Sequence, residues 1–353
     1  MSNSITEVAA LAGVSISTVS NVMTGKKAVS KELEKRVQAA IHQLGYTANP
    51  MASGLRSNRT NTIGVIITSF QRVFFGQVLK GIQDTVVNAG YMVCVFDSNN
   101  SLSNEKRYVK YFVNSMVDGV ILLSLANGVD PEDEAYFKML GSLGNKHKRI
   151  PVVGLERTLG SADVDAIMSD NRLAAYIVTQ HLIECGHKRI AHIAGPLTME
   201  MCQLRLLGYQ QAMKDAGLET SPKWIKKGNF SPISGYIEMG ELIRQGDCTA
   251  VFAGNDQMAI GAIKAIKESG LRIPEDIAVA GFDNTFPSTL VSPSLTTINV
   301  PTYQLGVIAA NRLIKRINGE IVGPGQKVIL KTQLIVRQST DVKGDHTWDL
   351  NSW

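Results

Sequence analysis

The chain has 353 residues, 44% of them hydrophobic and 19% charged, with a net charge of +5. That content excludes a disordered or fibrous chain, and the length exceeds one typical domain. Four cysteines (Cys94, Cys185, Cys202, Cys248) share no C-x-x-C spacing, which excludes a disulfide scaffold and fits reduced thiols in a cytoplasm.

The charge is unevenly placed. Seven basic and three acidic residues fall within the first 60, so most of the positive charge sits in a small N-terminal unit, where a polyanionic partner needs it. The opening "MSNSITEVAA" holds neither a basic n-region nor an apolar h-region, so no export signal is expected. The charge-free run 284–311 is broken by Pro287, Pro293 and Pro301 and does not read as a membrane span.

The first 60 residues predict four short helices. Thr6 is placed to cap the first, with Val8, Ala9 and Ala12 on one face and Gly13 ending it. Ser15 caps the second, which turns Val19 and Val22 inward. Ser30 caps the third, where Leu33, Val37, Ala40, Ile41 and Leu44 form an apolar stripe stopped by Gly45. Asn49 and Pro50 open a fourth, "MASGLRS".

A helix, a glycine turn and a second helix with a small polar outer face make a helix-turn-helix. Ser15, Thr18 and Ser20 are short donors suited to phosphate oxygens, while Ile16, Ser17 and Asn21 point toward base edges. The fourth segment is about two turns long and contains Gly54, too little to be stable alone. Leu55 beside Arg56 and Arg59 is an apolar wedge among cations, as a minor groove takes.

From Thr62 the texture changes to alternating strands and helices. Strands are expected at "TIGVIIT", "YMVCVFD", "DGVILLSL", "IPVVGLE", "KRIAHIAG", "TAVFAGN" and "DIAVAGFD". Amphipathic helices are expected at 75–89, 104–116, 171–185, 202–216, 233–245, 256–269 and 303–317. Apolar strands between crossover helices predict doubly wound parallel sheets, here two lobes with a seam near Leu159–Asp165. The cleft belongs at the carboxyl ends of the strands, where the residues turn polar.

With these motifs in place the chain resembles the LacI (lactose-repressor) family of bacterial transcription regulators. The resemblance runs from Ile5 to about Thr340 and includes "VAALAGVSISTVSNVM", "RTNTIGVI", "FFGQVLKGIQD", "HLIECGHKRIAHIAGP", "GNDQMAIGAIKAI", "IPEDIAVAGFDN" and "PSLTTINVP". It implies a helix-turn-helix headpiece over 1–48, a hinge helix over 49–60 and a two-lobed core like the periplasmic binding proteins over 61–340. The lobes are expected at 61–162 with 293–322, and at 163–292 with 323–340, leaving 341–353 as a tail. DNA contacts are implied for Thr6, Ser15, Ile16, Ser17, Thr18, Ser20, Asn21, Asn49, Leu55 and Arg56. The chain departs from the family where Ala48, Ser53 and Gly54 stand around the hinge.

The resemblance places effector contacts at Phe74, Phe75, Arg205, Phe230, Asn255 and Asp283. Arg205 offers a rigid donor fork, Asp283 accepts hydroxyls, Asn255 does both, and the phenylalanines give apolar faces, a set that suits a sugar or sugar acid. Arg157 and Glu156 lie at the lobe seam, within reach of the same ligand.

The expected protein is therefore a cytoplasmic, ligand-controlled repressor, a homodimer on a near-palindromic DNA operator. No cofactor or metal is implied. His181 and Cys185 stand four apart on one helix but make only two ligands. A carbohydrate-binding protein without DNA activity would lack the basic headpiece. A Rossmann-type enzyme would need a nucleotide fingerprint or catalytic constellation, and no G-x-G-x-x-G, P-loop, G-x-S-x-G or H-E-x-x-H is present.

Overall fold

The computed structural model describes residues 4–25, 27–46, 59–127, 130–145, 148–160 and 163–345. The chain divides into two units, Met1–Thr60 and Asn61–Trp353.

In the first unit α1 is Ile5–Ala12, α2 is Ile16–Thr24 and α3 is Lys31–Leu44. Val8, Ala9, Ala12, Val19, Val37 and Ala40 form its buried core, as the apolar spacing predicts. Gly13, Gly25 and Gly45 end the three helices in the left-handed conformation. The first cap differs from expectation. Ser4, not Thr6, starts α1, because Glu7 three residues on completes a reciprocal capping box. Thr6 lies inside the first turn, exposed. The fourth helix, with Asn49, Leu55 and Arg56, lies outside the described residues.

The second unit contains two six-stranded sheets. Through the first half of this unit, the elements are β1 Thr62–Ile67, α4 Phe74–Asn88, β2 Met92–Asp97, α5 Leu102–Asn114, β3 Gly119–Leu122, α6 Pro131–Gly141, the short hairpin β4 Gly144–Asn145 and β5 Lys148–Arg149, β6 Val152–Leu155 and β7 Asp165–Ser169. The rest are α7 Asn171–Glu184, β8 Ile190–Ala194, α8 Glu200–Asp215, β9 Ile225–Lys227, α9 Pro232–Gln245, β10 Ala250–Ala253, α10 Asp256–Glu268, β11 Ala278–Asp283, α11 Pro287–Leu290, β12 Thr296–Asn299, α12 Thr302–Ile317, β13 Lys327–Leu330 and β14 Gln333–Ile335. The first sheet runs β13-β7-β6-β3-β1-β2, all parallel. The second runs β14-β12-β11-β10-β8-β9 and is parallel except for β14. Both doubly wound sheets match the expected class.

Every predicted helix in this unit is found within two residues at its start. The lobe boundaries move. β7 and β13 belong to the first sheet, so residues 165–169 and 327–330 leave the lobe assigned to them, while β12 joins the second sheet. The reason lies in pairing: β7 is held between β6 and β13, and strand sequence alone does not say which sheet edge a short segment will complete. The chain thus crosses between lobes at 169–171, 299–302 and 330–333. These three strands of chain bring the sheets' carboxyl ends face to face.

Candidate functional site

α1 and α2 meet at 102°, the angle of a helix-turn-helix. The turn is locked by Arg36, whose Nη2 donates to the Ala12 carbonyl at 2.7 Å and the Gly13 carbonyl at 3.3 Å. Gly13 has φ 61°, a left-handed conformation that favours glycine, and a Cβ there would stand 2.6 Å from that nitrogen and displace the brace. Arg36 is therefore a brace and not a free cation for DNA.

At the start of α2 three hydroxyls gather. Ser15 Oγ accepts from the Thr18 amide at 3.1 Å and lies 2.7 Å from Ser17 Oγ and 2.9 Å from Thr18 Oγ1. With the helix N-terminus behind them they form a donor set suited to a phosphate oxygen. Ser17 is exposed, while Thr18, Ser20 and Asn21 are half-buried on the outer side of α2. Ile16 departs from expectation. It packs against the headpiece core, because the first turn of α2 closes over Val19. Its outer edge alone is left for a base.

The cleft lies where the carboxyl ends of both sheets meet. Phe74 and Phe75 open α4, with their rings edge to face at 5.4 Å. From the other lobe Phe230, in the turn before α9, reaches the same place with φ 69°. Its ring passes over Gly195, where a Cβ would come within 2.6 Å, so the glycine after β8 makes room for it.

Arg205, on α8, is buried. Its Nε donates to Asn171 Oδ1 at 2.8 Å and its Nη1 to the Gly254 carbonyl. The guanidinium lies 3.5 Å from the centre of the Phe282 ring, and its Nη2 is 3.7 Å from Asp283 Oδ1. That last distance is an ion pair without a hydrogen bond, and Asp283 Oδ1 has no hydrogen-bond partner among the described residues. Burial raises the Asp283 carboxyl to about 7, against the opposing charge of Arg205. Asp283 at the end of β11 has φ 111°. Glu156 and Asn284 also have positive φ, so with Phe230 four strained non-glycine residues border this one cleft.

The structure brings together Phe74, Phe75, Phe230, Arg205 and Asp283. Asn255 is close by but committed: its Oδ1 caps α10 through the Met258 amide at 3.0 Å and its Nδ2 donates to the Phe230 carbonyl at 3.2 Å. It shapes the site and does not offer a free amide. Arg157, expected at the ligand, is instead held within the first lobe. Its Nη1 donates to the Ser124 carbonyl at 2.7 Å, its Nε to the Thr158 carbonyl, and its guanidinium lies 5.2 Å from Phe137, inside the first lobe. Those carbonyls, freed at strand ends, claim the guanidinium before a ligand can. Glu156 is enclosed by Ser169 and Asn171, and Asn171 in turn holds Arg205, so one chain of hydrogen bonds runs from lobe to lobe.

Sequence reasoning missed Arg72, which is buried among Phe74, Phe75 and Phe230. A cation two residues before an aromatic pair and just past a strand, "QRVFF", was the available signal. Two clasps were missed as well. Gln257 of α10 donates from Nε2 to the Gln71 carbonyl at 3.1 Å and accepts from the Val73 amide at 3.2 Å. Glu200 of α8 accepts from the Thr158 amide and hydroxyl at 2.9 and 3.0 Å. Beside the cluster a cavity of about 780 Å³ opens between Phe74, Asp283, Phe286, Pro301 and Tyr303. His181, a candidate ligand in sequence, faces Thr340 Oγ1 at 2.8 Å. No single helix among the described residues is long and apolar enough to cross a membrane.

Comparison with known proteins agrees with this arrangement. Residues 4–49 match the family described as bacterial regulatory proteins, lacI family, and residues 179–340 match a periplasmic binding protein-like domain. The HTH-type transcriptional repressor PurR of Haemophilus influenzae (strain PittEE) is 34% identical over 338 residues, covering 95% of this chain and 98% of that repressor. The HTH-type transcriptional repressor CytR of Escherichia coli (strain K12) is 33% identical over 335 residues, covering 95% of each. Among solved structures, the lac repressor dimer bound to operator and the anti-inducer ONPF superposes with a TM-score of 0.84 at 29% identity, covering 96% of this chain and 99% of that one. A complex of the transcriptional regulator CelR with cellobiose superposes at 0.70 with 34% identity and the same coverage.

Proposed function

The chain belongs to the lacI family of bacterial regulatory proteins, DNA-binding transcriptional repressors and not enzymes, and from that premise we propose the rest of its activity. It represses transcription in the cytoplasm as a homodimer on a near-palindromic operator. A small effector, a sugar or sugar derivative, controls it from the cleft between the lobes. Ser15, Thr18 and Ser20 hold the operator backbone, Ser17, Asn21 and the edge of Ile16 read bases, and Thr6 touches the flank. Asn49, Leu55 and Arg56 serve the hinge.

One observation carries the effector reading: the buried Arg205–Asp283 pair faces Phe74 and Phe230 where the sheets' carboxyl ends meet, with an Asp283 oxygen still lacking a hydrogen-bond partner. A polyhydroxylated ring supplies both the donor that oxygen lacks and the C–H faces the rings accept. Ligand changes operator affinity only by its unequal affinity for two lobe arrangements, typically about 1–3 kcal/mol of coupling.

The test has two steps. Selection from a random duplex pool should return a near-palindrome bound with a steep salt dependence. Anisotropy titration on that duplex, with ligands found by thermal shift, should then show a changed affinity. A pool that yields no palindrome sinks the operator assignment. Unchanged affinity with every ligand that stabilises the core sinks the effector assignment.

A further inference from the structure

Four buried arginines are described in the core: Arg72, Arg157, Arg205 and Arg337. Arg157, Arg205 and Arg337 each donate to backbone carbonyls, and Arg205 also faces Asp283. Arg72 is held differently. Among the described residues its guanidinium makes one hydrogen bond, from Nη1 to Thr68 Oγ1 at 3.1 Å, has no ion-pair partner, and its Nε has no acceptor. Its guanidinium lies 4.1 Å from the Phe230 ring centre, 5.2 Å from Phe75 and 5.9 Å from Phe74.

The geometry of a guanidinium makes this arrangement informative. Aromatic rings compensate its charge through their faces. Its N–H groups point outward in the plane, and a ring face does not satisfy them as an oxygen does. Leaving them unmet in a buried place is costly. The nearby carboxylates favour its charge, Asp283 more than Glu156, but neither lies within ion-pair distance of it. Asp283 is paired with Arg205, and Glu156 is occupied by Ser169 and Asn171. The group that fits is an oxyanion, which meets a guanidinium edge with two parallel bonds and balances its charge.

We propose that the cleft takes an acidic ligand, a small polyhydroxylated molecule bearing a carboxylate or phosphate, and that Arg72 is the residue that recognises its anion. Arg205 and Asp283 then take hydroxyls, and the phenylalanines take the carbon faces. The inference rests on the effector reading of this cleft and narrows it to the charged members of the class.

Matched pairs test it on the full chain by titration calorimetry: D-glucose against D-gluconate, D-glucuronate and D-glucose 6-phosphate, and D-galactose against D-galacturonate, with inorganic phosphate alone as a further probe. A charged member should bind at least about 30-fold more tightly than its neutral partner, the worth of one charge-assisted bidentate pair. The acid and phosphate arms say which anion is meant. Arg72→Gln should erase that preference, lowering the charged member's affinity by at least that factor more than its neutral partner's. Arg72→Lys, which keeps charge but not the fork, should retain part of it. Asp283→Asn should weaken charged and neutral members alike, and circular dichroism checks each variant's fold. A neutral sugar that binds as tightly as its acid, or Arg72→Gln that binds the acid as the parent does, overturns the proposal and leaves the effector reading standing. Binding that survives both Arg72→Gln and Asp283→Asn, or no binding by either series, overturns both.

Discussion

In the headpiece the six buried core side chains are valines and alanines, and no charged residue is buried among those described. The core unit instead buries Arg72, Glu156, Arg205, Asp256 and Asp283 around one cleft. A small unit has little burial to spare, so it keeps polar chemistry on its surface and spends its interior on aliphatic contact. The larger unit carries two sheets and their helices, and that surplus lets it hold charges out of water, Arg205 against Asp283 and Glu156 and Asp256 by hydroxyls and amides. One region presents its function outward on a single helix, while the other assembles it inward from five separate turns of chain.

The sharpest way to break this contrast is Arg205→Leu. It leaves Asn171 Oδ1 and the Gly254 carbonyl without a donor and Asp283 without its counter-charge. The core should lose about 3 kcal/mol and all response to ligand. The headpiece should melt and bind duplex DNA as before. Thermal unfolding and operator titration check both halves, and a core that keeps its melting temperature would show that the buried charges are not mutually held.

The same contrast explains what the sequence made legible. In the headpiece every capping serine and terminal glycine acts within four residues of itself, so local pattern placed α1, α2 and α3 and the Ser15 cluster. The one cap misplaced, Thr6 for Ser4, differs by two residues on the same turn. In the core the helices were again local and were found. The partners of β7, β12 and β13 are set by pairing over long separations, as with Lys327 beside Ala166, and periodicity carries no such information. For the cleft, Arg205, Asp283, Phe74 and Phe230 came from family resemblance and meet as expected. Arg157 and Asn255 did not stay free, because nearby carbonyls and a helix end took their donors. Arg72 was overlooked since the local pattern "QRVFF" does not tell that Phe230, a third ring from the other lobe, will close over the cation.

The two units should also titrate in opposite senses. Burial raises Asp283 to about 7 and Asp256 to about 6, so in the folded core these groups hold protons that the unfolded chain releases near 4. Their contribution is therefore present at low pH and is lost as pH rises from about 4 to 7, by a few kcal/mol for a fully buried carboxyl. His192 works against this trend below pH 6.5, since burial lowers it to about 4. Glu7 in the headpiece is lowered by the Ser4 amide and hydroxyl, so its contribution is lost as pH falls. Asp283→Asn should gain stability relative to the parent between pH 5 and pH 8. Paired melting curves at the two values measure it, and a constant gap would mean that Asp283 is ionised throughout.

On the outward face, Asn21→Ala should relax base preference at one position of each half-site, at about 1–3 kcal/mol. Lys35→Ala, an exposed cation on α3, should leave preference unchanged and alter only the salt dependence, if at all. Selection from a degenerate operator separates the two, and an Asn21→Ala protein that chooses the parent's sequence would remove the base-reading role.

The smallest effect sharpens the contrast furthest. Ser4→Ala removes the hydroxyl that receives the Glu7 amide at 3.3 Å, which ends the reciprocal cap and lets the Glu7 carboxyl drift back toward its ordinary value. The expected cost is about 1 kcal/mol, all of it within the headpiece. In a unit whose buried core is six small side chains, that is a larger share of stability than the same loss would be among the sheets. The headpiece transition should move to lower temperature and lose part of its acid-side pH dependence, the Ser4 amide still donating to Glu7, while the core transition stays in place. Differential scanning of the full chain with and without the substitution reads both at once. If the two transitions move together, the units do not unfold separately, and the division between an outward and an inward chemistry is one of surface only.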